Sequence, residues 1–154
     1  MNWPYLHLVT NHFPIILAIV GAVAMGAGKA SGRDSLMRYG AISLVLAGLT
    51  APVVYITGRQ AEETVGSLWY AAEAAIEEHE ELGLWALLGA LASGVTAAGW
   101  LYRGGRLLGS LTTIVAAATA IILLATAFQG RRIIHASPAS EEAPRPAAEV
   151  PRGS

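Results

Sequence analysis

Residues 13–28 read FPIILAIVGAVAMGAG, an uncharged apolar run that opens on Phe13-Pro14 and is interrupted only by small residues. At 1.5 Å per residue such a run spans about 24 Å as a helix, which is short for a bilayer core unless the residues before it extend the crossing. Those residues, Met1 to Asn11, carry Trp3, Tyr5 and His7 and no Lys or Arg. The mixture suits a membrane–water boundary and lacks the basic start of a cleaved signal peptide, so the first helix is expected to remain as a span. Asn11-His12-Phe13-Pro14 then places a histidine where that span begins, with Pro14 pre-set for a first helical turn.

Working outward, three more apolar runs follow, and the expected spans are about residues 13–28, 39–57, 82–102 and 107–129. Pro52 lies inside the second and predicts a kink, with Gly58 and Arg59 at its polar exit. Between spans two and three, Gln60 to Glu81 is too acidic to cross a membrane. Val65, Leu68, Trp69, Ala72, Ile76 and His79 nevertheless recur at helical spacing, which predicts a short amphipathic interfacial helix over about residues 62–81. The stripe through His79 continues in Gly83, Ala86 and Ala90, and Ala90, Gly94 and Ala98 would let another helix approach closely.

Residues 136–154 are rich in Ala, Pro and Glu and cannot bury enough apolar surface to offset their ordering entropy, so they are expected to form a disordered tail. The closing Val150–Ser154 resembles part of a thrombin-site linker and is set apart from function. The expected fold is thus all-α: a polytopic membrane protein with four transmembrane helices in an antiparallel bundle over residues 1–135, plus the interfacial helix.

Composition agrees. Of 154 residues 54% are hydrophobic and 14% charged, with a mean hydropathy of +0.49, far from a soluble domain. A net charge of -1 with 10 Lys+Arg excludes a broadly basic nucleic-acid surface. No phosphate-binding glycine motif is present, and the absence of Cys excludes disulfides, thiolate-held zinc and iron–sulfur clusters.

Lys29, Arg33, Arg38, Arg103 and Arg106 fall in the first and third connections. The positive-inside bias therefore puts both termini on the periplasmic side of a bacterial cytoplasmic (inner) membrane, against the vote of Arg131 and Arg132. With four crossings, His12, Arg59, His79 and His135 share one face whichever orientation holds.

These residues also carry a resemblance. His12-Phe13-Pro14, Thr57-Gly58, a histidine opening the third helix and Gly130-Arg131-Arg132-Ile133-Ile134-His135 resemble the domain-of-unknown-function-2231 family of small four-helix bacterial membrane proteins, over roughly residues 7–135. Where the family's closing motif has a second glycine this chain has Gln129, and its Gln60 to Glu81 segment is longer. Some relatives are joined to Rieske-type iron–sulfur domains, so the resemblance implies membrane electron transfer.

Read from the residues themselves, His12 and His79 could each give a neutral imidazole to a b-type heme, with His135 or His7 as an alternative ligand. A single copper, zinc or iron ion held by His12, His79 and His135, assisted by Glu78 or Glu80, is the metal alternative. Arg59 could pair with a heme propionate, a quinone oxygen, or Glu62 and Glu63. The expected partners are the lipid bilayer and a quinone or membrane or periplasmic redox protein, with no nucleic acid. In the competing expectation the chain holds no cofactor, is an accessory subunit of a larger complex or a homo-oligomer, and uses its histidines only as polar caps. A small transporter is the third choice, because the spans hold no charge for an ion to follow.

Overall fold

The computed structural model describes residues 2–65 and 73–135, and among these every regular element is helical. The order is α1 (Trp3–Thr10), α2 (His12–Ser31), α3 (Asp34–Val65), α4 (Glu73–Arg103) and α5 (Arg106–His135). The expected tail over 136–154 lies outside the described residues.

The first crossing is longer than its apolar core. Asn2 caps α1 by accepting from the Tyr5 amide at 3.2 Å, and Asn11, itself in helical conformation, bonds its amide to His7 O at 2.9 Å. The interruption at Asn11 has a local cause in Pro14, which has no N–H for the Thr10 carbonyl one turn back. Trp3–Ser31 is thus one of four helical stretches long and apolar enough to cross a membrane, with Asp34–Thr64, Ile76–Arg103 and Arg106–Gly130.

The expected interfacial helix is not a separate element among the described residues. Residues 62–65 finish α3, residues 73–81 begin α4, and 66–72 lie outside the description. Nothing between Glu81 and Leu82 breaks a helix, and the inward stripe runs unchanged across that point, so the acidic segment and the span share one axis. Likewise α3 continues past Gly58-Arg59 to Val65, with Pro52 inside it. The end of the apolar run there is not a helix boundary.

Two-residue turns join α2 to α3 and α4 to α5. Gly32 (φ 66°) closes α2, and Gly104 (φ 68°) and Gly105 (φ 93°) reverse the chain after α4. These left-handed conformations cost other residues energy, so glycine sets where the chain turns.

The helices pack α2 on α3, α3 on α4, α4 on α5, and α5 back on α2. The contacts step in opposite directions along each sequential pair. Gly28 meets Met37, Gly21 meets Leu44, and farther along the same line His7 of α1 meets Gly58. Gly48 and Gly94 touch across α3 and α4, while Gly109 meets Trp100 and Gly130 meets His79 across α5 and α4.

The interior is built from small side chains. Ala18, Ala41, Ala47, Ala90, Ala97 and Ala116 are fully buried or nearly so, whereas Phe13, Ile16, Leu49, Val95, Ile114 and Ile121 are exposed. In water this distribution would be inverted. Beside lipid, large apolar side chains face out at no cost, and small ones let backbones meet. Among the described residues a buried hydroxyl pair crosses the interior, Ser93 Oγ and Thr119 Oγ1 at 2.9 Å. Ser93→Ala is expected to lower stability by about 0.6–1.7 kcal/mol. A double-mutant cycle with Thr119→Val in detergent melts measures it, and zero coupling would mean the two hydroxyls act independently.

Candidate histidine site

At the end where α1 and α4 begin and α3 and α5 finish, two imidazoles turn inward from different helices. The inward face of α2 is the series Pro14, Ala18, Gly21, Met25 and Gly28, all buried. Continued backwards at the same spacing of three and four, it reaches Asn11 and then His7. His12 is off this series, five residues from His7 and so about 140° around a helix. The structure shows that difference: His12 is exposed, and its Nδ1 donates to the Leu8 carbonyl of its own chain turn at 2.9 Å.

His7 is half-buried against α3. Its Nδ1 lies 3.1 Å from Val54 O and 3.4 Å from Thr57 Oγ1. Thr57 donates to that same carbonyl at 3.0 Å. A carbonyl only accepts, so Nδ1 carries the proton and Nε2 keeps its lone pair. The ring rests on Gly58, where an added Cβ would lie 3.0 Å from Cε1. Glycine is the seat.

His79 repeats the arrangement from α4. It is half-buried on the stripe that continues in Ala86, Ala90, Ser93 and Ala97, and its ring rests on Gly130 of α5, with an added Cβ 3.0 Å from Cε1. Its Nδ1 is buried and makes no hydrogen bond among the described residues, and the same holds for Asn11 Oδ1. The two rings stand at the same end of the helices: His7 rests on Gly58, and the next residue, Arg59, pairs with Glu80, the residue after His79.

Arg59, beside the Gly58 seat, pairs with Glu80, beside His79. The ion pair ties the end of α3 to the start of α4, and the expected neighbours Glu62 and Glu63 are not its partners. With Arg59 55% exposed and Glu80 31% exposed, it adds little to stability. What it does is hold the Gly58 seat of α3 beside the start of α4, where His79 stands.

No protein-family model, curated protein or solved structure matches this chain.

The sequence-predicted residues therefore separate. His79 faces the interior, Arg59 pairs across the helices, and His12 points away. His135 closes α5 at the same end, but its side chain lies outside the described residues. Among the described residues no three His, Asp or Glu side chains converge as a metal-holding group. His7, which the boundary reading treated as secondary, is the imidazole placed with His79. The signal that finds it is the inward series running back from Gly28 through Pro14. Chemically, the site offers His7 Nε2 and the imidazole of His79, next to an unpaired amide oxygen and an ion pair.

Proposed function

We propose that this chain is a redox protein of the bacterial cytoplasmic membrane that holds a b-type heme, or a single redox metal ion, between His7 and His79. It exchanges electrons with a quinone or a partner protein. The observation that carries the reading is the pair of inward imidazoles, each seated on a glycine of a neighbouring helix. His7 is oriented by its Nδ1–H bond to Val54 O, the second-shell arrangement that presents Nε2 to a metal. His79 brings a half-buried imidazole that faces the Thr126 backbone of α5 and whose Nδ1 makes no close hydrogen bond among the described residues, a nitrogen that a ligand would satisfy.

A bound heme iron would supply one-electron chemistry. The protein's own part is to fix both imidazoles, keep water from the ring faces and place Arg59 at the rim, where a guanidinium can meet an anionic group. The same reading includes the likeness to the domain-of-unknown-function-2231 family and the periplasmic placement of the histidine end.

A reduced-minus-oxidised visible spectrum of the detergent-purified chain, with metal analysis on the same sample, tests this. A sharp reduced-heme band or a stoichiometric metal is expected, lost in His7→Ala and in His79→Ala and kept in His12→Ala. A colourless, metal-free chain from cofactor-replete cells would overturn it in favour of an accessory subunit.

A further inference from the structure

The opposite end of the helices carries a set of cations that electron transfer does not use. Lys29 lies in the last turn of α2, Arg33 and Arg38 flank the start of α3, Arg103 ends α4 and Arg106 begins α5. All five are exposed, and Asp34 is the acidic residue among them. The other end is richer in acid, with Glu62, Glu63, Glu77, Glu78, Glu80 and Glu81 in sequence against Arg59, Arg131 and Arg132.

Packing concentrates these cations. Lys29 Nζ donates to Ser110 Oγ, and the Ser110 hydroxyl is within reach of Arg106 O, one turn back, at 2.8 Å. Lys29 in the last turn of α2 therefore stands within one helical turn of Arg106 at the start of α5. The short turns at Gly32 and at Gly104-Gly105 keep Arg33 and Arg103 at the same level.

Apolar side chains are exposed at this level and deeper along the same helices. Tyr102 is 88% exposed and Leu107 is 86% exposed, and Val23, Leu111 and Ile114 continue the apolar surface toward the middle of α2 and α5. A ligand that fits both features has a phosphate group at the cations and hydrocarbon along the helices. Free phosphate uses only the first.

We propose that this end of the molecule binds the phosphodiester headgroups of anionic membrane lipids, with Lys29 and Arg106 at the centre and Arg33 and Arg103 at the rim. It rests on the membrane-spanning reading of the four helices and not on the heme. Guanidinium and ammonium groups form charge-assisted bonds to phosphate oxygens. A zwitterionic lipid gains less, because its own ammonium offsets the phosphate charge.

The experiment uses the full chain in mild detergent, titrated with phosphatidylglycerol or phosphatidylcholine of identical acyl chains, with bound lipid counted by native mass spectrometry. Phosphatidylglycerol should be retained about tenfold over phosphatidylcholine, falling toward parity in Lys29→Gln/Arg106→Gln. The exposed pair Arg33→Gln/Arg103→Gln should lower it about fivefold, a check that does not disturb the Lys29–Ser110 contact. Equal concentrations of inorganic phosphate should leave the lipid in place. Equal retention of the two lipids by the unaltered chain would overturn the proposal. So would a preference untouched by both double variants, or displacement by inorganic phosphate.

Discussion

Gly40→Val is expected to be among the most destabilising substitutions in the chain. A Cβ at this position would lie 2.7 Å from the Met25 amide nitrogen and 2.8 Å from Gly21 O. Both obstacles are backbone, so no side-chain rotation relieves them and α2 must move away from α3. Overpacking that forces backbone shifts costs about 3 kcal/mol. Separation here would also uncover Met25, Ala41 and Leu44, which form one buried cluster with Ala97, Trp100 and Ala116. Thermal unfolding in detergent should show the loss as a large drop in apparent Tm. Gly26→Ala is the matched control, because nothing lies within 4 Å of its added Cβ; it should change stability by less than about 1 kcal/mol, in the direction of helix propensity. Equal losses at the two positions would refute the packing explanation.

The second large effect is expected at the histidine seats, without altering a histidine. Gly58→Val and Gly130→Val each place a branched side chain where an imidazole edge now rests, since even a Cβ would lie 3.0 Å from the ring. Each ring must tilt or leave. On the proposed reading either variant should weaken cofactor retention about 10–100-fold, the range seen when the supports of metal-ligating histidines are disturbed. Absorbance per mole of chain after washing measures it, with helical content from circular dichroism showing that the fold survives. Full retention in both variants would mean that the seats do not position a cofactor.

Much of the fold is legible in the residues because lipid imposes a simple rule: a helix without charges for long enough crosses. Phe13–Gly28 and the three later runs satisfy it, and four long apolar helices are what the chain forms. Helix ends are less legible. Hydropathy marks where an apolar run ends, whereas Gln60 to Val65 and Glu73 to Glu81 are polar yet helical, so α3 and α4 run on beyond it.

The histidine site divides the same way. His79 stands on a visible stripe of small residues, which forecast its inward face. His12 drew attention through its neighbour Pro14, yet the inward series through Pro14 passes to Asn11 and His7. The pairing of Arg59 with Glu80 joins positions on different helices. It depends on how α3 crosses α4, and local spacing, which offered Glu62 and Glu63, does not encode that crossing.

The two tight glycine turns also bear on how the molecule comes to be assembled. A two-residue connection makes closure of the α2–α3 and α4–α5 hairpins cheap in chain entropy, and each hairpin zips along contacts that are near in sequence at its turn. Each hairpin can therefore form by itself. The glycine crossing of α3 and α4 is then a seam where two finished halves dock, and the imidazoles of α1 and α4 meet only when that seam closes.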